Sequence, residues 1–447
     1  MRYLKALAIV ACLAVFGYWG VWLPLRASGY DFTGPYEAAY ALAHHASFSV
    51  YDVAAQRAYS ANTLHLPAGP SDFRWTPTTA VLLMPLGLLP YAAARVLWWV
   101  IGLAALLTSV WLLARSAAQA SAARVGYWSA FAALGCAAAV AQPVTDSLRL
   151  GQSTTILLLG FALIAYGEVF DRQALSGIGL AVTILDKLFP GALLLYFLWR
   201  GRYRVCAVAL GVVALLCLLT LPVTGLGIYS DFLHALTAFS AEPDGGPVNL
   251  SPLHALIVLA LSVIRPGQPE VNLAPLIALA GLICAALFGA TILANGWPIQ
   301  LRRWRGAVTL EEPAAQTPMA RLGMIAWTIT ALFIIEPVDW GFYYVVALVP
   351  LAWLLSGPAA GAPHIGRWPV AAWRWLAGLS LILALAPLPL DSRTASSMSL
   401  LYVIGIAARP VGLLGLWLAQ AMLLWPGSRK VVAIAADAAP ARETRFA

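Results

Sequence analysis

The sequence has 447 residues, of which 61% are hydrophobic and 10% are charged, and its mean hydropathy is +0.81. A soluble globular protein carries roughly 25% charged residues, so this chain cannot cover its own surface with polar groups. The net charge of +8 does not indicate nucleic-acid binding, because the basic residues form short clusters between apolar runs, as in the cytoplasmic loops of membrane proteins.

The apolar segments predict an all-α polytopic membrane protein with about twelve transmembrane helices. An uncleaved first helix covers about 6–24, and a long outer segment follows at about 25–90. Within that segment the apolar piece Thr76–Leu89 has only about 14 residues, so we expect it to lie in the outer interface. The other predicted spans are about 91–114, 125–142, 153–169, 174–186, 188–199, 205–222, 272–295, 321–337, 341–356, 371–388 and 399–425.

A second long outer loop is predicted at about 223–271, with a short interfacial helix at Pro252–Ile264. We expect one membrane domain over 1–430, followed by a disordered cytoplasmic tail over 431–447. With both ends in the cytoplasm, two thirds of the 27 Lys and Arg residues fall on the inner side, as the positive-inside rule requires. Because the inner loops are short, we expect the function on the outer face.

Asp31 directly follows the first predicted helix. A carboxylate at the rim of a membrane cavity is partly desolvated, which raises its basicity and suits it to general-base catalysis. The simpler interpretation is that Asp31 caps a helix over about 34–47.

Asp186 and Lys187 interrupt a pair of short apolar segments, and Pro190 follows three residues later. Ionisable groups at membrane depth are costly and are candidates for function. Lys187 suits an anionic phosphate, and the alternative is an internal ion pair with Asp186.

Two further polar breaks face the predicted outer side. The first, 146–152, is predicted to be a polar turn in which Asp146, Arg149 and Gln152 contact phosphate or sugar. The alternative is an interfacial loop in which Arg149 only snorkels to the membrane surface. The second contains Glu336 and Trp340, and its Trp is either a sugar platform or part of the aromatic belt. Other outer cations, for which the simple interpretation is again snorkelling, are Arg74, Arg95 and Arg409.

The six histidines do not cluster, and the five cysteines all fall in apolar stretches. The sequence has neither a phosphate-binding glycine loop nor a nucleophile elbow, which argues against an ATPase and a serine hydrolase. We therefore expect neither a metal nor a cofactor.

Together these features resemble the GT-C superfamily of membrane glycosyltransferases, and most of all its polyprenyl-phosphate-mannose-dependent α-mannosyltransferases. The similarity covers about 30–345 and depends on the order of several short motifs. These motifs are Tyr30-Asp31-Phe32 in the first outer loop, Arg74-Trp75-Thr76-Pro77 with Thr78 in place of a second proline, Gly151-Gln152, Lys187-Leu188-Phe189-Pro190, Asn249-Leu250-Ser251, and Pro337-Val338-Asp339-Trp340.

The resemblance implies that a hexose is transferred from a polyprenyl-phosphate carrier to a lipid or glycan acceptor at the periplasmic face of the inner membrane. Mannose is the expected hexose. Asp31 would be the base of an inverting displacement. The implied substrate-binding residues are Lys187, Arg149, Arg74, Gln152, Asp146, Asn249, Glu336 and Trp340. We expect a monomer surrounded by membrane lipids. The alternatives are a transporter or flippase of lipid-linked glycans and an O-antigen-type polymerase or ligase.

Overall fold

The computed structural model describes residues 2–46, 48–66, 72–121, 125–241, 274–304, 317–336, 341–359, 364–365, 368–386 and 400–425. These residues are largely helical. The helices up to the late outer loop are α1 Arg2–Phe16, α2 Leu23–Arg26, α3 Thr33–Ala43, α4 Val53–Tyr59, α5 Pro77–Gly87, α6 Tyr91–Ala120, α7 Tyr127–Val140, α8 Gln142–Leu150, α9 Thr154–Val169, α10 Gln173–Asp186, α11 Leu193–Trp199, α12 Tyr203–Thr224 and α13 Gly227–Ala241.

The later elements follow the same pattern. They are α14 Ala274–Trp304, α15 Pro318–Ile335, α16 Leu348–Leu355, the two-residue antiparallel strands β1 His364–Ile365 and β2 Trp368–Pro369, α17 Val370–Leu385 and α18 Leu400–Leu424. Short 3₁₀ turns cover Tyr30–Phe32, Phe189–Ala192 and Gly341–Ala347, and a π-helical stretch, Gly17–Trp22, joins α1 to α2.

Helix length and composition confirm a multi-pass membrane protein. Within the described ranges, five helices are long and apolar enough to cross a membrane, or six if the bent pair α7–α8 counts as one span. Several other predicted spans have 10–17 residues, and about 20 are needed for a straight crossing. The number twelve therefore stays a prediction, although most helix bounds lie within a few residues of those predicted.

Helix α9 lies at the centre of the core, where it packs against α6, α10 and α15. Its contact with α10 is close because both helices present glycine. A Cβ on Gly160 would lie 2.9 Å from the Gly179 carbonyl oxygen, and a Cβ on Gly179 would lie 2.6 Å from the Gly160 carbonyl oxygen. Small residues allow membrane helices to approach in this way.

The segment predicted to lie outside, 25–90, contains a packed unit built on α3 and α5. A Cβ on Gly87 would lie 2.5 Å from the backbone of Ala39, so these two helices touch through their main chains. Tyr51 donates a hydrogen bond from its hydroxyl to the Trp75 carbonyl at 2.7 Å. These contacts hold the stretch around Trp75 in a defined position.

The predicted polar turn over 146–152 is wrong. The chain forms α8 as far as Leu150 and turns only at Gly151, and α8 is bent by 61° from α7. The helix begins with Pro143 in its first turn, where the missing N–H costs nothing, and it ends at a left-handed glycine. Those two residues are normal helix boundaries, so the polar side chains of this stretch lie on a helix.

The opposite end of α9 carries a separate cluster of charges. The Asp171 carboxylate pairs there with Arg202 and Arg321. Helix α9 has 16 residues and is therefore about 24 Å long, which separates this cluster from Gln152. The basic loops and the predicted site residues thus lie at opposite ends of the core.

Candidate active site

Asp31 lies in a short 3₁₀ turn just beyond the first membrane helix. The helix ends at Arg26, and Gly29 then adopts a left-handed conformation with φ of 67°. A side chain at Gly29 would also meet Arg95, whose Cδ lies 3.0 Å from the ideal Cβ position. Glycine is thus required for both conformation and space, and the turn that it permits leads directly into Asp31.

The surroundings of the Asp31 carboxylate include a hydrogen-bond donor and two cations. The side chain of Gln152 donates a hydrogen bond to it, and Lys187 and Arg149 lie within electrostatic range. Burial nevertheless raises the pKa of Asp31 above that of an ordinary aspartate, because desolvation outweighs the hydrogen bond and both cations. A half-buried carboxylate of raised basicity is suited to accept a proton.

Gln152 is aimed at Asp31 by the glycine turn that precedes it. Gly151 has a φ of 79°, and a Cβ there would lie 2.7 Å from the Phe32 Cβ. The Gly151 carbonyl accepts a hydrogen bond from the Trp98 indole at 2.8 Å, and Trp98 stacks on Phe32 at 5.6 Å between ring centres. The chain on either side of Asp31 is therefore packed against the turn that carries Gln152.

Lys187 is at the break after α10, where the backbone becomes extended. Its Nζ lies 4.9 Å from the centre of the Trp75 ring and 5.8 Å from that of Tyr343. The carboxylates of Asp31 and Glu336 are within electrostatic range of the same ammonium group. The break therefore presents a cation to the space beside Asp31.

The stretch that contains Trp75 is fastened to this break by hydrogen bonds. The Trp75 indole donates to the Ser153 hydroxyl at 3.1 Å. Thr76 and Thr79 donate to the Leu185 carbonyl at 3.0 and 2.8 Å. Carbonyls in the last turn of a helix lack helical partners, so these two threonine hydroxyls complete the end of α10.

Arg74 and Arg149 each pair with a nearby carboxylate. Arg74 lies 3.5 Å from Asp72 and remains exposed, and Arg149 lies 3.1 Å from Asp146. Arg409 is also within electrostatic range of Asp146. Asp146 is thus a partner of cations at this end of the core, which is a simpler role than the substrate contact predicted for it.

A small crevice of about 10 Å³, enough for about one water molecule, lies beside these residues, between the end of the first helix, α6 and α8. Arg149 and Arg95 supply its charge, and Leu25, Val96 and Trp99 contribute apolar walls. A larger cavity of about 370 Å³ lies between the end of α16 and α17. None of the predicted site residues lines that cavity.

The structure therefore brings together five of the predicted residues from distant parts of the sequence, namely Asp31, Gln152, Arg149, Lys187 and Glu336. Arg74 is also in the group, since it lies within electrostatic range of Lys187. Asn249 and Trp340 lie outside the described residues. Among the residues that the structure describes, no group of three or more His, Cys, Asp or Glu side chains could hold a metal ion.

Sequence reasoning missed the residues that hold this group in place. Trp98 and Tyr91 were not singled out, and Arg95 was interpreted only as a snorkelling cation. Their spacing in the sequence is a usable signal, because residues 91, 95 and 98 lie on one face of a helix.

The sequence profile of glycosyltransferase family 87 matches residues 73–310, which is just over half of the chain. The chain belongs to glycosyltransferase family 87. The membrane glycosyltransferase expected from the motifs is thereby confirmed, and this family 87 member is an enzyme. The match includes Gln152 and Lys187, whereas Asp31 and Glu336 lie beyond its ends.

One curated relative extends the similarity. The family 87 chain is 26% identical over 348 residues to the polyprenol-phosphate-mannose-dependent alpha-(1-2)-phosphatidylinositol pentamannoside mannosyltransferase of Mycobacterium tuberculosis. The alignment covers 71% of this chain and 72% of the relative. No solved structure matches the family 87 chain.

Proposed function

We propose that this family 87 enzyme transfers a hexose from a polyprenyl-phosphate carrier to a hydroxyl of a lipid or glycan acceptor, and that this hexose is mannose. The observation that carries the proposal is the half-buried Asp31 carboxylate, which accepts a hydrogen bond from Gln152 and lies within electrostatic range of Lys187 and Arg149. The name of the mycobacterial relative supports mannose and the polyprenol-phosphate donor. The active site then faces the periplasm, and the protein lies in the inner membrane.

The reaction is an inverting displacement at the anomeric carbon. The acceptor oxygen attacks that carbon and forms the new glycosidic bond, while its proton moves to Asp31. The bond from the carbon to the phosphate oxygen breaks, and the polyprenyl phosphate leaves with one additional negative charge. Lys187 and Arg149 lie within electrostatic range of Asp31 and would stabilise that charge as it develops.

The remaining polar residues bind and orient the substrates. Gln152 holds Asp31 through a hydrogen bond, and its amide has capacity for a sugar hydroxyl. Glu336, near Lys187, is an acceptor for hydroxyl groups, and we retain Asn249 and Trp340 as substrate-binding residues.

The test is transfer by the purified protein with separate polyprenyl-phosphate donors that carry mannose, glucose or arabinofuranose. A mixture of envelope lipids supplies the acceptors, and mass spectrometry identifies the product. We expect a product one hexose heavier than its acceptor, with mannose as the preferred sugar. Transfer only from diphosphate-linked donors would indicate a polymerase or ligase, and translocation of the donor without transfer would indicate a flippase.

A further inference from the structure

One face of α6 holds the chain that leads to Asp31. Tyr91, Arg95 and Trp98 begin this helix at spacings of four and three residues, so their side chains point in similar directions. Trp98 binds Gly151, as described above, and the other two bind the segment between the first membrane helix and Asp31.

Arg95 binds the carboxyl end of the first helix with three hydrogen bonds. Its Nη1 donates to the carbonyls of Pro24 at 2.7 Å and Ala27 at 2.6 Å, and its Nη2 donates to that of Leu25 at 2.8 Å. The last carbonyls of a helix have no helical partners and form the negative end of its dipole. A guanidinium group satisfies both the hydrogen-bonding and the charge requirements of this helix end.

Tyr91 binds the main chain closer to Asp31. Its hydroxyl lies 2.6 Å from the Ser28 carbonyl and 3.1 Å from that of Gly29, two residues before Asp31. Tyr91 and Arg95 therefore bind the main chain from Pro24 to Gly29. The direction in which the chain leaves the membrane is set by α6.

We propose that Arg95 is a positioning residue for Asp31, and that its hold on the end of the first helix aims the Asp31 carboxylate at the acceptor hydroxyl. This inference depends on the proposed function, because it takes Asp31 to be the base. Arg95 acts through the main chain and contacts neither substrate. A displacement of about 1 Å at a reacting group can cost about 100-fold in rate.

The inference predicts a specific kinetic pattern. Arg95→Met should lower kcat by about 10- to 100-fold while the donor KM stays within about twofold, since only the orientation of Asp31 changes. Arg95→Lys should lose less, because an ammonium group can reach one carbonyl but lacks the planar fork that binds several. Tyr91→Phe removes only the hydroxyl and should give a smaller loss of the same kind.

The deciding experiment is a double-mutant cycle with Asp31→Asn in the purified full-length protein. If Arg95 acts through Asp31, Arg95→Met should cost less than about threefold once the carboxylate has been removed. Arg115→Met is the matched control, because Arg115 lies at the far end of the same helix against Trp111. This control should leave kcat unchanged.

Each other outcome overturns the inference in a recognisable way. A raised donor KM with normal kcat would make Arg95 a donor-binding residue of the crevice. Equal losses with and without Asp31→Asn would make it a general structural residue, and no loss in Arg95→Met and Arg95→Lys would remove it altogether. If Arg95→Met does not fold, Arg95→Lys and Tyr91→Phe complete the cycle. Failure of the proposed function looks different, because Asp31→Asn would then itself be nearly normal.

Discussion

The Lys187 ammonium group lies 4.9 Å from the centre of the Trp75 indole ring. The two residues are 112 positions apart in the sequence, and they meet because Trp75 is bonded to Ser153 and its neighbours to Leu185. The contact is a cation–π interaction, in which the ring attracts the ammonium group but adds no opposite charge.

Lys187→Met should weaken donor binding. A hydrogen bond to a charged group contributes about 1.5–3 kcal/mol, so the donor dissociation constant should rise by about 10- to 100-fold and turnover should also fall. Binding of a labelled polyprenyl-phosphate sugar measures the effect. Arg204→Met, at an exposed position on the predicted inner side, is the control. Unchanged donor binding with reduced thermal stability would show that Lys187 only supports the packing of Trp75.

Asp31→Asn should distinguish between the two possible roles of Asp31, general base and helix cap. Removal of a general base costs about 10²- to 10⁴-fold in rate, so kcat should fall by that factor while folding and donor binding stay normal. As a cap, asparagine is nearly equal to aspartate, and the substitution would be almost silent. A folded variant with near-normal turnover would refute the role of Asp31 as base, and Glu37, Asp52 and Asp146 would be tested next.

Transfer should proceed without a divalent cation. The proposed donor is a phosphodiester with a single negative charge, and two cations, Lys187 and Arg149, lie within electrostatic range of Asp31. Activity should therefore persist in excess EDTA. Loss of activity that manganese restores would contradict this prediction.

The outer segment 25–90 should be accessible from outside the cell. Ser60 is only 1% exposed and makes a poor reporter, whereas its neighbour Asn62 is exposed. Asn62→Cys should react with a membrane-impermeant thiol reagent in intact cells, and Ser428→Cys, on the predicted cytoplasmic side just before the tail, should not. The unsubstituted protein measures labelling of its five natural cysteines. The opposite pattern would invert the topology.

Glu37 should make stability depend on pH. Its carboxyl group is 1% exposed and neither oxygen has a hydrogen-bond partner among the described residues. Burial, with a smaller contribution from Asp72, raises the pKa of Glu37 from 4.5 to about 8. The folded protein thus keeps this proton up to about pH 8, whereas the unfolded chain loses it above pH 4.5, so rising pH favours unfolding within that window.

The measurement is the thermal stability of the detergent-solubilised protein between pH 5 and pH 8, compared with that of Glu37→Gln. The unsubstituted protein should lose stability over this range relative to the variant, because glutamine does not titrate. A constant difference between the two proteins across the range would contradict the prediction. Other titrating groups are shared and cancel in the comparison.

The sequence alone was sufficient to predict most of the helices and the class of enzyme. Apolar length and interrupting charges predicted most helix bounds, because a backbone in lipid must satisfy its own hydrogen bonds and therefore forms helices. The order of the short motifs indicated a membrane glycosyltransferase, which the family match confirmed. The turn predicted at 146–152 failed because polarity was given more weight than the helix boundaries at Pro143 and Gly151.

Only the tertiary structure decided how the site is assembled. No local pattern reveals that Gln152 bonds to Asp31 or that Lys187 faces Trp75, since these contacts depend on how α6, α9 and α10 pack. Arg95 shows the same limit, because an arginine near a membrane surface can reach water or a neighbouring helix end with equal ease. Which of these it reaches depends on the main chain that lies beside it. Here that main chain is the end of the first helix, which leads to Asp31.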